Sequence, residues 1–377
     1  MTRSPELFWF VPASGDFRYL GDRDSARAGE FDYLAEVART ADVLGFDGVL
    51  IPTGWTGLES LTLAAALAPV TKRLKLLTAI RPGLISPVAA ARIVSTLDDV
   101  SGGRVLLNIV TGDRVDELKG DGLFLDHDAR YRLTDEWLTI FRRLLQGETV
   151  DYEGQYLHVR GARNLFRPVQ EPYPPIYFGG SSEAAIAVAG KHVDVYLSWG
   201  EPPEQIREKF AAVREAAARE GRSVRFGARF HVVVRRTEEE AWQAAEELIQ
   251  HAAEEAFAQA AELIRKRESV GQQRMAALHG GSRQRERLRV GRHLWAGVGL
   301  LRAGAGTALV GSPDQVAEAI AEYQSLGVET FILSGYPHME EAFYVAELLF
   351  PALGRRSPVF NRSTGLAGDE KRLAIPV

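Results

Sequence analysis

The chain has 377 residues, 46% of them hydrophobic and 25% charged, with a formal net charge of −5. Such a chain can bury a core without disulfides or a structural metal, and its acidic balance argues against a general polyanion binder while leaving room for a local basic pocket. It has no cysteine, which excludes disulfides, thiolate catalysis and cysteine-ligated zinc or iron–sulfur sites.

The opening stretch MTRSPELFWFVPASGD does not read as a signal peptide, because its apolar run is short and charged and turn residues follow at once. No stretch is apolar for the ~18 residues that a membrane span needs. No basic run is interleaved with aromatics, the pattern of a nucleic-acid surface. The expectation is a cytoplasmic protein with neither membrane nor nucleic acid as partner.

In chain order, the first β-rich run is Leu7–Pro12, followed by a helical pattern over Asp32–Leu44 that ends at Gly45. Strands follow at Gly48–Pro52 and Leu74–Ile80, a helix at Pro87–Val100 and a strand at Arg104–Val110. Residues 113–174 exceed an ordinary crossover and hold a helical pattern at Asp135–Leu145 and an apparent hairpin, VDYEGQYLHVRG. Strands return at Pro175–Gly179, Val193–Trp199 and Arg225–Val234. A second long gap, 237–329, carries a long Ala/Glu-rich helix and then a polar tract at 267–292, which reads either as a mobile lid or as a solvated connector. The last strand is Thr330–Ser334, and periodicity stops after Gly354, so residues 355–377 read as a flexible tail or a contact arm. Eight strands alternating with helices predict an α/β fold, a closed TIM (β/α)8 barrel with insertion regions, as one domain over residues 1–354. An open nucleotide-binding sheet would carry a glycine fingerprint after its first strand, and FWFVPASGD is not one.

In a barrel, function collects at the C-terminal ends of the strands. Strand five ends in YFGGSSEAAIAVAG, where Ser181 and Ser182 lead into a helix. This reads as a phosphate site or as an ordinary N-cap. Strand four ends in LLNIVTGD, placing Asn108 and Thr111 near the mouth on opposite faces of the strand. His127 and Tyr131, four apart in LDHDARY, fall on one helix face. Strand seven alternates Arg229 and His231 toward the interior, which requires an anionic guest or a structural ion pair in compensation. Trp199 ends strand six, Tyr336 and His338 follow strand eight, and Arg302 sits in a glycine-rich stretch from which it can pair with an anion. The histidines show no metal-ligand spacing, so no metal is expected.

The blocks FWFVPASGD, GVLIPTG, AIRPGLISP, NIVTGD, GDGLFLDHDARY, PYPPIYFGGSS, LSWGEPPE, SVGQQRMAALH, LWAGVGLLRAGAGTALVG and LSGYPHMEEA run in order from about residue 7 to residue 352. Together they resemble the alkanesulfonate monooxygenases of the bacterial luciferase-like superfamily. The methanesulfonate-specific enzymes share most of these blocks, so a methanesulfonate- or sulfone-specific relative, or a non-catalytic flavin- or sulfonate-binding one, stays open. The resemblance implies a homotetramer that uses O₂ and FMNH₂, the latter supplied by a separate NAD(P)H-dependent FMN reductase, and releases an aldehyde and sulfite from a small sulfonate. It implies FMN phosphate binding by Ser181 and Ser182, with His127 and Tyr131 nearby. It further implies a sulfonate and oxygen pocket lined by Trp199, Arg229, His231, Arg302, Tyr336 and His338. Arg302 or Tyr336 would steady the oxygen chemistry. The family usually has arginine, serine and cysteine after IPTG. Here the stretch is IPTGWTGLES, so Trp55 and Gly57 replace the arginine and the cysteine, which predicts added bulk at 55 and an empty place at 57.

Overall fold

Eight parallel strands close into a ring in the computed structural model, which describes residues 4–360. They are β1 (Glu6–Phe10), β2 (Gly48–Ile51), β3 (Lys75–Ile80), β4 (Val105–Ile109), β5 (Ile176–Gly179), β6 (Val195–Trp199), β7 (Arg225–Val234) and β8 (Val328–Ser334). Each pairs with the next, and β8 returns to β1 through Glu6–Thr330 and Leu7–Phe331. The fold is the TIM barrel that the sequence predicts, with further strands outside the ring.

The strands read as continuous apolar runs because both their faces are covered. Phe8, Phe10, Leu50, Leu77, Leu106, Tyr177, Val195 and Ile332 fill the barrel interior. The opposite faces pack against the surrounding helices in a larger core. Local signals set the helix ends. The first helix, Phe31–Leu44, stops at Gly45, whose φ of 96° is left-handed. Pro87–Ser101 starts at Ser86, whose hydroxyl accepts from the Ala89 amide, with proline in the first turn.

The two long gaps each include a helix that flanks the barrel, His127–Leu145 in the first and Pro313–Ser325 in the second. The first also forms the expected hairpin, Val150–Glu153 with His158–Ala162. Buried Glu136 holds its turn by accepting from the Gln155, Tyr156 and Leu157 amides. In the second, the single Ala/Glu-rich helix is corrected to two, Glu238–Gln250 and Glu254–Arg265. The chain breaks where the His251 ring packs on Tyr19, at 4.2 Å between centroids, and where the Leu20 amide donates to the Leu248 carbonyl. Only the first of the two helices has buried residues, Trp242 and Leu248 among them.

The polar tract also folds. Ser269 caps a helix at Val270–His279, and strands at Arg289–Gly291 and Leu294–Trp295 follow. The chain then returns as a strand at Ala308–Gly311. β7 is twice the length of its neighbour β6. Its first half pairs with β6 inside the ring, and its second half pairs with Ala308–Gly311 outside it. After Gly354 the chain is anchored, not loose: Arg355 donates to the Pro5 and Gly45 carbonyls and lies 2.8 Å from Asp47. Residues 361–377 of the expected tail lie outside the described residues.

Candidate functional site

A cavity of about 250 Å³ opens at the C-terminal ends of the strands. Strand register explains who meets there. Trp199 on β6 is the cross-strand partner of Arg229 on β7, and Arg229 is the partner of Ile332 on β8, so all three face inward. Asn108, Thr111, His127, Tyr131, Ser181 and Ser182 line the same cavity. β4 ends at Ile109, so strand alternation no longer governs Thr111, and Asn108 and Thr111 both reach the cavity instead of taking opposite faces.

The β5 end suits a phosphate. Ser182 caps the helix Glu183–His192 by accepting from the Ala185 amide. That leaves the Ser181 hydroxyl without a partner among the described residues, beside a helix N-terminus that favours anions. A Cβ on Gly180 would come within 2.6 Å of Ala185 Cβ and 3.3 Å of the Tyr131 hydroxyl, so the loop needs glycine to tuck under the helix. The N-cap reading of GGSS falls to Ser182, which leaves the Ser181 hydroxyl available. The rings of His127 and Tyr131 pack at 4.9 Å beside this loop.

Deeper in, Arg229 joins the cavity to a cluster of side chains packed around Phe10. The guanidinium of Arg229 sits 3.9 Å from the Phe10 ring centroid and that of Arg302 sits 5.3 Å from it. The rings of His231 and Tyr336 stack at 5.4 Å, and the His338 ring meets Tyr336 edge-on at 4.9 Å. Arg229, His231, Arg302, Tyr336, His338 and Trp199, scattered over 140 residues of sequence, are thus neighbours. The Nε and Nη2 groups of Arg229 are buried without a hydrogen-bond partner among the described residues. Among the described residues no carboxylate pairs with Arg229, so the structural ion pair is not formed. Burial, then the charge of Arg302, lowers the Arg229 pKa well below its ordinary value. Burial, then Arg302 and Arg229, drives His231 well below the usual imidazole range. Burial raises the Tyr336 phenol, against the pull of Arg302.

The polar tract lies across the mouth of the cavity. Ser269, Val270 and Gly271 line it. Arg267 binds Asp113 at 2.9 Å, Glu268 binds Arg130 at 3.1 Å, and Arg274 binds Glu201 at 2.6 Å. Glu201 is wholly buried and also holds Lys209 at 2.5 Å. The Gln272 side chain accepts from the Gly304 amide, next to Arg302. Sequence reading missed Phe10, Asp16 and Glu201. Phe10 was accessible through its alternation with Phe8, whereas Asp16 and Glu201 are defined by partners distant in the chain.

The departures after IPTG are also resolved. Trp55 is 53% exposed, with Arg114 over its ring at 4.6 Å, and it does not line the cavity. It adds no bulk to the pocket. A Cβ at Gly57 would stand 2.8 Å from the Ala13 carbonyl oxygen. The expected empty place is therefore corrected: Ala13, in the loop after β1, fills it.

Solved structures share this architecture. A riboflavin lyase, RcaE, superposes with a TM-score of 0.78 at 22% identity, covering 93% of this chain and 92% of its own. A long-chain alkane monooxygenase, LadA, gives 0.76 at 20% identity, covering 94% and 93%. The EDTA monooxygenase EmoA from Chelativorans sp. BNC1 gives 0.74 at 18% identity, covering 96% and 97%. At these identities the likeness is one of fold. The sequence itself matches a family model described as luciferase-like monooxygenase over residues 8–330. The match spans most of the chain, and the protein belongs to the luciferase-like monooxygenase family.

Proposed function

We propose that the protein is a two-component monooxygenase that cleaves the carbon–sulfur bond of a small alkanesulfonate. One alkanesulfonate, one O₂ and one FMNH₂ give an aldehyde, sulfite, water and FMN. The single observation that carries the reading is the buried, unpartnered edge of Arg229. Its free Nε–H and Nη2–H form a fork that matches two oxygens of a tetrahedral anion, and the acidic side chains that line the cavity are engaged elsewhere, Asp113 with Arg267, Glu201 with Lys209 and Arg274, and Glu268 with Arg130. Arg302 adds a second positive charge.

When bound, reduced FMN supplies the electrons and the site at which O₂ is activated. Ser181 and the helix N-terminus at Ser182 would hold its phosphate, with Tyr131, His127, Asn108 and Thr111 around it. Arg229 and Arg302 orient the sulfonate so that its carbon points back toward Trp199. Tyr336, a phenol held protonated by burial, can donate a hydrogen bond or a proton to oxygen. The segment at 267–292 excludes water while the bond breaks. The reductant would come from a separate NAD(P)H-dependent FMN reductase, and the working form would be a cytoplasmic homotetramer.

A coupled assay tests the reading: flavin reductase, FMN, NAD(P)H and sulfonates of one to ten carbons, with sulfite measured. Sulfite release above the enzyme-free background is the expected result. Release from methanesulfonate alone would narrow the substrate to one carbon. Sulfonate binding with no sulfite from any chain length would overturn the enzyme in favour of a binding protein.

A further inference from the structure

Two histidines belong to the cluster around Phe10, and their hydrogen bonds differ. His231 engages both ring nitrogens: Nε2 lies 3.1 Å from the Ala305 carbonyl and, farther off, 3.4 Å from Arg302 Nη1, and Nδ1 lies 2.9 Å from the Ser334 hydroxyl. The Ala305 carbonyl only accepts, so Nε2 carries the proton and Nδ1 takes the Ser334 hydroxyl proton. His338 engages one nitrogen. Its Nδ1 lies 2.7 Å from Asp16 Oδ1, and its buried Nε2 has no partner among the described residues.

Asp16 is wholly buried and surrounded by donors. Its oxygens accept from the Phe17 amide at 2.8 Å, the His338 amide at 2.7 Å and the Tyr33 hydroxyl. Burial alone would raise its proton affinity, but His338 and Tyr33 hold it below the usual carboxylate range. A carboxylate can only accept, so the proton between the two groups sits on His338 Nδ1. Burial keeps the imidazole neutral, with Arg302 and Arg229 opposing the pull of Asp16. A neutral ring with its proton on Nδ1 has its lone pair on Nε2.

We propose that Asp16 is a positioning residue that locks His338 in the Nδ1–H tautomer, making Nε2 the proton acceptor of this cluster. The proposal rests on the cavity and the cluster beside it being the site of the monooxygenase reaction. The other groups around it are the guanidinium groups of Arg229 and Arg302, the Tyr336 phenol and the saturated His231, and each brings a proton already in place. A proton released from bound substrate or water passes to Nε2. The N–H bond forms as the other bond to hydrogen breaks, and the electron pair stays on the atom that released it. The resulting imidazolium is balanced by Asp16 on its far side.

The competing role for Asp16 is structural, a tether between the loop after β1 and the start of the helix His338–Tyr344. Asp16→Asn separates the two. Donors face both carboxylate oxygens, so an amide must turn its NH₂ toward one of them. Turned toward Nδ1, it forces the Nε2–H tautomer. Tyr33→Phe removes one donor to Asp16 and leaves the tautomer alone. The readout is the long-range ¹H–¹⁵N histidine spectrum of the full chain at pH 7.5, with His338 assigned by the signals that His338→Gln removes. Expected are a protonated Nδ1 and a bare Nε2 in the wild type and in Tyr33→Phe, and the reverse in Asp16→Asn. In the coupled assay, kcat of Asp16→Asn should fall by roughly 10²-fold or more, with KM changed by less than about threefold.

A wild-type His338 that carries its proton on Nε2, or on both nitrogens, overturns the proposal even if Asp16→Asn fails to fold. So does a folded Asp16→Asn that keeps both the tautomer and kcat. If the wild type releases no sulfite from any sulfonate, the functional reading fails, while the spectra still decide the tautomer.

Discussion

Arg229 and Arg302 share a floor, the Phe10 ring, but not a backbone setting. Arg229 projects from the middle of a barrel strand, whereas Arg302 comes from a stretch joined to the cover of the cavity through Gly304 and Gln272. Arg229→Ala should weaken sulfonate affinity by about 10- to 100-fold, the range for losing charged hydrogen bonds, while leaving FMNH₂ affinity unchanged; separate titrations of the two ligands check this. Arg302→Ala should abolish sulfite release and also spare FMNH₂ binding. The buried histidines set a pH dependence of stability. His231 and His338 resist protonation in the fold, and burial lowers His192 as well, despite its contact with Asp135. Above about pH 6.5, the unperturbed imidazole value, neither state is protonated and there is no penalty. Below it, the unfolded chain binds protons that the fold refuses, so stability falls as pH falls. His231 alone should contribute up to about 1.4 kcal/mol of that loss by pH 5.5. Urea midpoints at pH 7.5 and 5.5 should therefore separate less in His231→Asn than in the wild type. These residues were legible because a barrel confines function to strand ends, where Trp199, Tyr336 and His338 stand, and because strand alternation puts Arg229 and His231 on one face of β7. Asp16 was not, since its meaning depends on a histidine 322 positions away.

At the scale of elements, the helix Val270–His279 brings Val270 and Gly271 to the cavity and would be its cover in the proposed reaction. Its polar sequence left open whether it was a cover or a connector, because the ion pairs that seat it reach 73 residues back to Glu201 and 154 back from Arg267 to Asp113. Strands were easier to place: short apolar runs between turn residues announce themselves locally. The break between the helices Glu238–Gln250 and Glu254–Arg265 was hidden, because Ala and Glu favour helix throughout and the interruption comes from Tyr19, far upstream. Arg274→Ala should loosen the cover without unfolding the barrel, since Glu201 keeps Lys209 as its counter-charge. Hydrogen exchange at 270–279 should quicken by about tenfold, the equivalent of ~1.4 kcal/mol, with the barrel strands unchanged. KM for the sulfonate should rise.

For the whole molecule, the outer surface carries its own pattern. Ile93 and Val100 are exposed on the helix Pro87–Ser101, and Leu165, Phe166 and Val169 are exposed on the segment that follows the hairpin. Asn164 and Gln170 bond that segment to Ser95 and Asp98 of the same helix, so two neighbouring stretches of surface expose large apolar side chains, the kind of surface that a homotetramer of the proposed sort would cover. Phe166→Glu should lower the mass measured by light scattering relative to the wild type while the far-ultraviolet circular dichroism stays the same. The forked strand β7 bears on how such a protein can diversify. Its lower half seals the ring, and its upper half carries a side sheet that never enters it. Arg229 closes the lower half and His231 opens the upper, so the boundary between the two jobs runs through the cluster around Phe10 itself. The side sheet and the cover then behave as an exchangeable cassette: related chains could replace everything between Thr237 and Ser312, and with it the shape of the accepted substrate, without renegotiating the closure of the barrel.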